Sequence, residues 1–287
     1  MHWHTTRFTI DLARPRVMGI VNVTPDSFSD GGRHRNAVDA LAHCEQLLRD
    51  GADMLDIGGE STRPGARPVP AEEELARVLP VVAAAVSFGV PVSVDTSKPQ
   101  VMRAVLDLGA DIVNDVWALR LPGAAQLLAE HGRAGVCLMH MHREPQTMQT
   151  APMTDDVVPQ VLSFLQQRVD ALRGLGLDAN RIVVDPGIGF GKTAAQNFAL
   201  LARQRELLAA GRPLLVGWSR KSSLATVAGG DASGPGDRLI PSVAAALLAV
   251  ERGARLVRVH DVRETVAALK VWSASNTIAG DPHQQTG

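Results

Sequence analysis

The stretch RIVVDPGIGFGKT, residues 181–193, combines residue types that could bind a phosphate group. An apolar run leads into Asp185, glycines follow at alternate positions, and Lys192 closes the stretch. A nucleotide-binding P-loop surrounds the phosphate with backbone N–H groups and needs a glycine five residues before its Gly-Lys-Thr. Pro186 stands at that place and has no N–H to donate. The glycines either serve another ligand or only turn a strand into a loop, and this stretch alone does not separate the two.

The elements that would position this stretch follow from a repeated pattern of short apolar runs. Eight of them end in polar residues: VMGIVNVTPD, DMLDIGGES, VPVSVDTSK, DIVNDV, GVCLMHM, RIVVDPG, PLLVGWSRKS and RLVRVHD. Between them lie amphipathic stretches such as RNAVDALAHCEQLLRDGA, with apolar residues at helical spacing and often a final glycine. Strands that alternate with helices in this way predict a parallel sheet, and eight such units predict a closed (β/α)8 TIM barrel.

We expect one α/β domain over residues 1–275, with a short N-terminal extension, and a disordered tail over residues 276–287. An open doubly wound sheet is the alternative architecture. It would normally have fewer strands and a glycine-rich first turn, whereas the first turn here is NVTPDSFSDGG.

The barrel would gather distant residues at one face, because the C-terminal strand ends of such barrels build the active site. A buried carboxylate is costly unless it is paired or hydrogen-bonded. Any one of the strand-end carboxylates could be a helix cap, but several on one rim predict a site for a ligand with many N–H donors, such as a guanidine-like heterocycle edge. The strand-end residues are Asn22, Asp56, Asp95, Asn114, Met139 with His140, Asp185, Ser219 to Ser222, and Arg258 with His260.

The other half of the rim is cationic. The chain has four lysines against 25 arginines, yet Lys192 and Lys221 both follow strand ends, which indicates a need for compact charges with rotatable donors. Barrels commonly bind phosphate near strands 7 and 8. The ligand predicted from both halves is a flat polar heterocycle that carries phosphate. The cationic residues are Arg63, Arg220, Lys221, Arg258 and His260.

The composition excludes several other classes of protein. The formal net charge of −1 gives no basic footprint for nucleic acid. The apolar runs are far shorter than the roughly 20 residues that a membrane span needs. The N-terminus lacks the pattern of a secretory signal, so we expect a cytoplasmic protein. Cys44 and Cys137 have neither metal-ligand spacing nor a disulfide-rich context and are interpreted as buried free thiols.

Eight motifs, in order, closely resemble those of dihydropteroate synthase, the folate-pathway transferase that sulfonamides target. They are MGIVNVTPDSFSDGG, DIGGESTRPGA, VSVDTSKP, DIVNDV, LMHM, DPGIGFGK, SRKS and RVHDV, and the resemblance covers roughly residues 10–275. The first two are long enough to be highly specific, whereas RVHDV alone would be weak. The resemblance implies a (β/α)8 barrel that condenses 6-hydroxymethyl-7,8-dihydropterin pyrophosphate with p-aminobenzoate to 7,8-dihydropteroate and pyrophosphate, with Mg2+ as cofactor.

The resemblance also implies a role for each matching residue. The pterin would be held by Asp95, Asn114, Met139, Asp185 and Lys221. The pyrophosphate would be held by Asn22, Arg63, Arg258 and His260, with Asn22 also ligating Mg2+. The p-aminobenzoate would be framed by Thr62, Arg63, Pro64, Phe190, Lys221 and Ser222. The catalytic set would be Asp95, Lys221 and, on a mobile first loop, Phe28 and Asp30. On this interpretation the glycines after Asp185 shape a loop and bind no nucleotide.

Three positions depart from the family's pattern as we expect it. Trp218 stands where a smaller or unbranched residue is expected, and Arg143 and Pro241 stand where glycine is common. The resemblance further implies a homodimer, with the apolar helices IPSVAAALLAV and ETVAALKVWSA at the interface.

Two other functions remain open. A pterin-dependent methyltransferase of the methyltetrahydrofolate and corrinoid type shares the barrel and an Asp-Asn-Asp pterin set, but it has no use for pyrophosphate-binding residues. A non-catalytic paralogue could bind pterin in a structural or regulatory role. Release of pyrophosphate from the two substrates and Mg2+ would separate all three.

Overall fold

The barrel predicted from the sequence is confirmed by a computed structural model, which describes residues 1–24, 32–62, 65–144, 147–148, 150–228 and 238–279. After an N-terminal hairpin of β1 (His2–His4) and β2 (Thr9–Asp11), the described chain forms eight parallel strands. They are β3 (Arg16–Asn22), β4 (Met54–Gly58), β5 (Val92–Asp95), β6 (Ile112–Asp115), β7 (Gly135–Met139), β8 (Ile182–Asp185), β9 (Leu215–Val216) and β10 (Leu256–Val259).

The eight strands pair in the order β8-β7-β6-β5-β4-β3-β10-β9. A parallel bridge between Val184 and Leu214 joins the two ends of this order, so the sheet closes on itself. All the pairs are parallel, as βα units require. The open doubly wound sheet is thereby excluded.

Helices surround the barrel between successive strands. Local signals explain several helix starts: Thr193 and Gln196 form a capping box, and the Asp156 side chain accepts a hydrogen bond from Val158 N. The helices are α1 (Gly32–Arg49), α2 (Ala71–Ala85), α3 (Pro99–Asp107), α4 (Ala124–His131), α5 (Val157–Gly174), α6 (Ala194–Ala202), α7 (Gln204–Leu207), α8 (Ser222–Ala228), α9 (Leu239–Glu251) and α10 (Val262–Ala279).

The last helix runs further than expected. It ends at Ala279, so the first residues of the predicted tail, 276–279, are helical. The remainder of that tail, residues 280–287, lies outside the described residues.

The N-terminal hairpin closes the end of the barrel at which the strands begin. Trp3 is completely buried, and its indole Nε1 donates a 2.9 Å hydrogen bond to Arg181 O. It packs with Ile10 and Leu12 against side chains from the starts of the strands, among them Met18 and Met54. The sequence predicted only a short extension here, because two three-residue strands are too short to show a periodic pattern.

Alternation along each strand assigns side chains to the inside or the outside of the barrel. Odd-numbered residues of β4, such as Leu55 and Ile57, belong to the core shared with the helices, whereas Met54 lies in the interior cluster under the hairpin. On four strands the residue two positions further along the interior face is polar, namely Asp56, Asn114, Asp185 and Arg258. The barrel interior is therefore apolar at one end and polar at the other.

The structure shows the surroundings of the three residues that were expected to depart from the family pattern. Trp218 is 1% exposed and packs on Phe198, with ring centroids 5.4 Å apart. Arg143 has a φ of 62°, a conformation that glycine adopts more easily, and Pro241 lies in the first turn of α9.

Both cysteines are buried and unpaired, as predicted. Burial raises the pKa of the Cys44 thiol to about 12. In the described part of the chain, none of the helices combines the length and the hydropathy that crossing a bilayer requires.

Candidate active site

The polar end of the barrel interior is a layer of inward-facing side chains near the C-terminal ends of seven strands. These side chains face inward, like the apolar residues under the hairpin, and lie further along the strands toward their C-terminal ends. This layer comprises Asn22, Asp56, Asp95, Asn114, Met139, Asp185 and Arg258. The structure thus brings together strand-end residues that lie up to 236 positions apart in the sequence, from Asn22 to Arg258.

Asp56 lies at the centre of this layer and is completely buried. Its Oδ1 accepts a 2.6 Å hydrogen bond from Ser93 Oγ, and its Oδ2 accepts bonds from Asn114 Nδ2 at 3.2 Å and from Arg258 Nε at 2.6 Å. A carboxylate at this depth is stable only with such partners. Asp56 therefore fixes the orientation of Asn114 and Arg258 rather than offering its own oxygens to a ligand.

Asp95 is the second partner of Arg258. Arg258 Nη2 donates to Asp95 Oδ2 at 2.8 Å, and the Asp95 side chain is 12% exposed at the open end of the barrel. Burial raises the pKa of Asp95 to about 7; Arg258 opposes this rise, while the charge of Asp56 adds to it. The carboxylate would gain stability from any positive charge placed next to it, which suits a group that acts on a cation.

Asp185 lies on the opposite side of the barrel mouth, at the end of β8. Its Oδ1 accepts a 2.7 Å hydrogen bond from Gly187 N, which ties the carboxylate to the loop that follows. Burial raises the pKa of Asp185 to about 6, against the effects of the Gly187 hydrogen bond and of the charges on Lys221, Lys192 and Arg258. Together Asp95, Asn114 and Asp185 present the acceptors that a guanidine-like edge needs.

An apolar wall adjoins these carboxylates. Met139 and Phe190 are both buried in one cluster with Met141 and Met148. Lys221 Nζ lies 4.3 Å from the centroid of the Phe190 ring, within the range of a cation–π contact. The wall and the lysine together suit a flat ring that carries negative charge.

The turn before α8 links the last two strand ends. Ser219 Oγ lies 2.9 Å from His260 Nδ1 and accepts a hydrogen bond from His260 N at 3.1 Å. Arg220 has a φ of 58° and pairs through Nη2 with Asp261 at 2.6 Å, so its charge holds this turn in place. Arg220 was expected among the rim cations; the structure gives it a supporting contact in place of a free guanidinium.

The remaining predicted residues have different positions. Asn22 ends β3 and is partly exposed, Thr62 lies in the loop after β4, and Ser222 is exposed at the start of α8. The other predicted residues, Phe28, Asp30, Arg63 and Pro64, lie outside the described residues. Among the described residues there is no group of three or more His, Cys, Asp or Glu side chains that could hold a metal ion.

Comparison with known proteins agrees with this geometry. The family model described as pterin binding enzyme matches residues 18–260. The chain belongs to this family. The dihydropteroate synthase of Neisseria meningitidis serogroup B is 52% identical over 277 residues, which cover 95% of this chain and 96% of the relative.

Solved structures of relatives superpose closely on the chain. The Xanthomonas albilineans dihydropteroate synthase with 4-aminobenzoic acid is 52% identical with a TM-score of 0.87, and the match covers 94% of this chain and 95% of that one. The Burkholderia cenocepacia enzyme complexed with 7,8-dihydropteroate is 50% identical with a TM-score of 0.88, covering 97% and 98% of the two chains.

The sequence did not predict the hydrogen bonds that connect the strand-end residues of the site. Asp56 was recognised only as one strand-end carboxylate, and Ser93, which bonds it, was not considered. The sequence did contain a signal for Ser93, because Ser93 is two residues before Asp95 on the same strand and therefore faces the same side. Which of the neighbouring carboxylates receives the buried hydrogen bonds depends on side-chain rotamers, which the sequence pattern does not determine.

Proposed function

We propose that the protein is a dihydropteroate synthase, which condenses 6-hydroxymethyl-7,8-dihydropterin pyrophosphate with p-aminobenzoate to give 7,8-dihydropteroate and pyrophosphate. The observation that supports this function most directly is the placement of Asp95, Asn114 and Asp185 at the C-terminal ends of β5, β6 and β8, together with the contact of Lys221 with the Phe190 ring. Relatives that share about half of its residues carry this name and have been solved with the aminobenzoate and the product.

The N–H edge of the pterin would supply further hydrogen-bond donors to the buried carboxylates. Its N–H donors would face the Asp95 and Asp185 carboxylates, and Asn114, fixed by Asp56, would bond the ring. Desolvation raises the pKa values of both aspartates, so hydrogen bonds from the pterin would compensate an existing cost. Met139 would contact the face of the ring.

The reaction needs no strong general base. The C–O bond between the pterin methylene and the pyrophosphate breaks, and the pyrophosphate keeps the electron pair. The pterin ring delocalises the cation that remains, and the charged Asp95 stabilises it electrostatically. The weakly nucleophilic amine of p-aminobenzoate then forms the C–N bond and loses a proton.

Magnesium belongs to this proposal as the counter-ion of the pyrophosphate. Mg2+ commonly binds through one or two protein oxygens together with substrate phosphates and water, so the lack of an acidic cluster among the described residues is compatible with it. Asn22, at the rim of the barrel, offers a suitable carboxamide oxygen. When bound, the ion would neutralise charge on the leaving group.

A homodimer is also part of the proposal. On α9, Ile240 is 80% exposed and Leu248 is 43% exposed, two turns apart on one face, and Val271 on α10 is 73% exposed. Such apolar residues on neighbouring helices suit contact with a second copy. Sedimentation should show a dimer that Ile240→Glu converts to monomer; a wild-type monomer would refute it. We place the enzyme in the cytoplasm, where unpaired thiols such as Cys44 and Cys137 are usual.

One assay tests the function. Purified protein mixed with dihydropterin pyrophosphate, p-aminobenzoate and Mg2+ should release pyrophosphate and form dihydropteroate in equal amounts. Pterin binding without turnover would indicate the non-catalytic paralogue. Methyl transfer from methyltetrahydrofolate, without pyrophosphate release, would indicate the methyltransferase.

A further inference from the structure

The loop after β8 is held against the end of β7 at very short range. Gly187 has a φ of 68°, and a Cβ built on it would lie 1.8 Å from His140 O. Gly191 is similarly close to His142, with its ideal Cβ 2.6 Å from His142 O. Phe190 lies between these two glycines, so its ring position depends on how the loop docks on β7.

Lys192 provides the bonds that hold this docking. Its side chain is buried, and Nζ lies 2.8 Å from Gly187 O, 3.1 Å from Phe190 O and 2.9 Å from His140 Nδ1, with His140 O further away at 3.4 Å. An ammonium has three N–H donors, which match these three nearer acceptors. The lysine therefore links the beginning and the end of the loop to the neighbouring strand.

The other side of the loop is attached to α6 and α8. Gly189 N donates to Asn197 Oδ1 at 2.9 Å, and Asn197 Nδ2 donates to Ser223 Oγ at 2.8 Å. Ser223 is adjacent to Ser222 and close in sequence to Lys221, whose Nζ lies over the Phe190 ring. With this side fixed by Asn197, the link through Lys192 sets how far Phe190 stands from Lys221.

We propose that Lys192 is a positioning residue for the arylamine subsite, whose ammonium fastens Gly187 and Phe190 to the end of β7 and thereby sets the aromatic wall opposite Lys221. This inference rests on the proposed function. Lys192 does not face the barrel mouth as a ligand group, since its three donors are used by acceptors within the protein. Its effect should therefore fall mainly on p-aminobenzoate, because the strand ends hold the pterin and Lys192 acts on Asp185 only through its charge and through the Gly187 loop.

The charge state of Lys192 gives this role a second signature. Burial lowers the pKa of Lys192 to about 7, with Asp185 opposing this effect and Lys221 adding to it. His140 has its pKa lowered to about 2, mainly by burial, and stays a neutral acceptor. His142, also beside the loop, has its pKa lowered by burial. Deprotonation of Lys192 leaves two N–H donors for three acceptors. The loop that carries Phe190 should then be held less firmly, so p-aminobenzoate should bind more weakly as pH rises through about 7.

Steady-state kinetics with Lys192→Met tests the proposal. The matched control is Lys270→Met, which makes the same change at an exposed site on α10. We expect the KM for p-aminobenzoate to rise about tenfold or more in Lys192→Met, and the KM for dihydropterin pyrophosphate to stay within about twofold. The control should match wild type in both constants.

The pH profile supplies a readout that a merely structural role would not move. The wild-type KM for p-aminobenzoate should increase between pH 6 and 9, and the ratio of variant to wild-type KM should shrink as the wild-type lysine loses its proton. A flat wild-type profile would overturn the proposal, even if Lys192→Met does not fold. Equal increases in both KM values, or an unchanged p-aminobenzoate KM, would also overturn it. Wild-type protein without any turnover would instead refute the proposed function, and this inference with it.

Discussion

Arg258 joins two carboxylates of the barrel interior, with Nε 2.6 Å from Asp56 Oδ2 and Nη2 2.8 Å from Asp95 Oδ2. One positive charge therefore balances two negative ones. Asp56 is further satisfied by Ser93 and Asn114, whereas no such neutral donor to Asp95 is seen among the described residues. The local excess of negative charge accordingly lies on Asp95, at the place where the proposed reaction develops a cation.

We expect Asp95→Asn to reduce kcat by about 100-fold or more while leaving the fold intact, because the lost charge acts mainly near the transition state. Stopped-flow or steady-state measurement of dihydropteroate formation checks this, with circular dichroism as the control for folding. A kcat close to wild type would mean that Asp95 only caps the loop after β5.

The pH dependence of stability should oppose that of activity. Because the pKa of Asp95 is raised from 3.8 to about 7, the folded protein binds more protons than the unfolded chain between those values. The contribution of this group to the free energy of unfolding therefore falls as pH rises through this window, whereas its catalytic charge is present only above about pH 7. Urea titrations at several pH values should show a smaller slope in Asp95→Asn, and an unchanged slope would contradict the assignment.

Removal of Arg258 should be costly because it leaves two buried carboxylates without their counter-charge. We expect Arg258→Met to lower the free energy of unfolding by about 3–5 kcal/mol. The exposed Arg263→Met on α10 serves as the matched control and should change it by less than about 0.5 kcal/mol.

A double variant shows whether the cost of Arg258→Met comes from charge. Adding Asp95→Asn to Arg258→Met should recover part of the lost stability, since one of the two uncompensated charges is gone. Additive losses in the double-mutant cycle would show that Arg258 contributes packing rather than charge balance.

The loop after β8 should tolerate no side chain at Gly187. Gly176 has a similar positive φ of 85°, but a Cβ there meets nothing within 4 Å, so Gly176→Ala isolates the backbone cost, about 1–2 kcal/mol. Gly187→Ala should lower stability by clearly more than this control and raise the KM for p-aminobenzoate, because His140 O blocks the added methyl group. Thermal unfolding and kinetics of both variants check this. Equal losses of stability in the two variants would mean that the end of β7 moves to make room for the added methyl group.

The strand-end residues could be predicted because two regularities of the barrel act together. Apolar runs identify the strands, and the common direction of the strands gathers their ends, so Asn22, Asp95, Asn114 and Asp185 follow from spacing alone. Alternation along each strand then separates inward-facing from outward-facing side chains. These rules depend on the backbone, which the periodic pattern encodes well.

The contacts that the sequence did not predict depend on individual side chains or on very short elements. Lys192 was interpreted as a compact charge with rotatable donors, which the structure agrees with, but its partners are carbonyl groups and His140 instead of phosphate. The sequence places no acceptor near it, because the approach of Gly187 to β7 is a tertiary contact. The hairpin around Trp3 was missed for its short strands.

The order of substrate binding depends on the loop that carries Thr62. Glu60, near the start of this loop, holds its two ends together, because Glu60 Oε1 accepts a 3.0 Å hydrogen bond from Val69 N near the end of the loop. Glu60 also pairs with Lys98, next to the start of α3. Of the residues between Glu60 and Val69, the described ones (61–62 and 65–68) belong to no strand, and Arg63 and Pro64 lie outside the described residues. The pterin residues, in contrast, stand on β5, β6 and β8.

We therefore expect p-aminobenzoate to bind measurably only when pyrophosphate, Mg2+ and a pterin are present, because their charge would draw Asn22, Asp30 and Arg63 together and complete the second pocket. Titration calorimetry with and without these three components tests the order, and a sulfonamide serves as a second probe of the same pocket. The pterin alone should bind in either condition, since its acceptors are already in place. Equal affinity for p-aminobenzoate in both conditions would mean that its pocket is preformed, and the loop would then have no part in the order of binding.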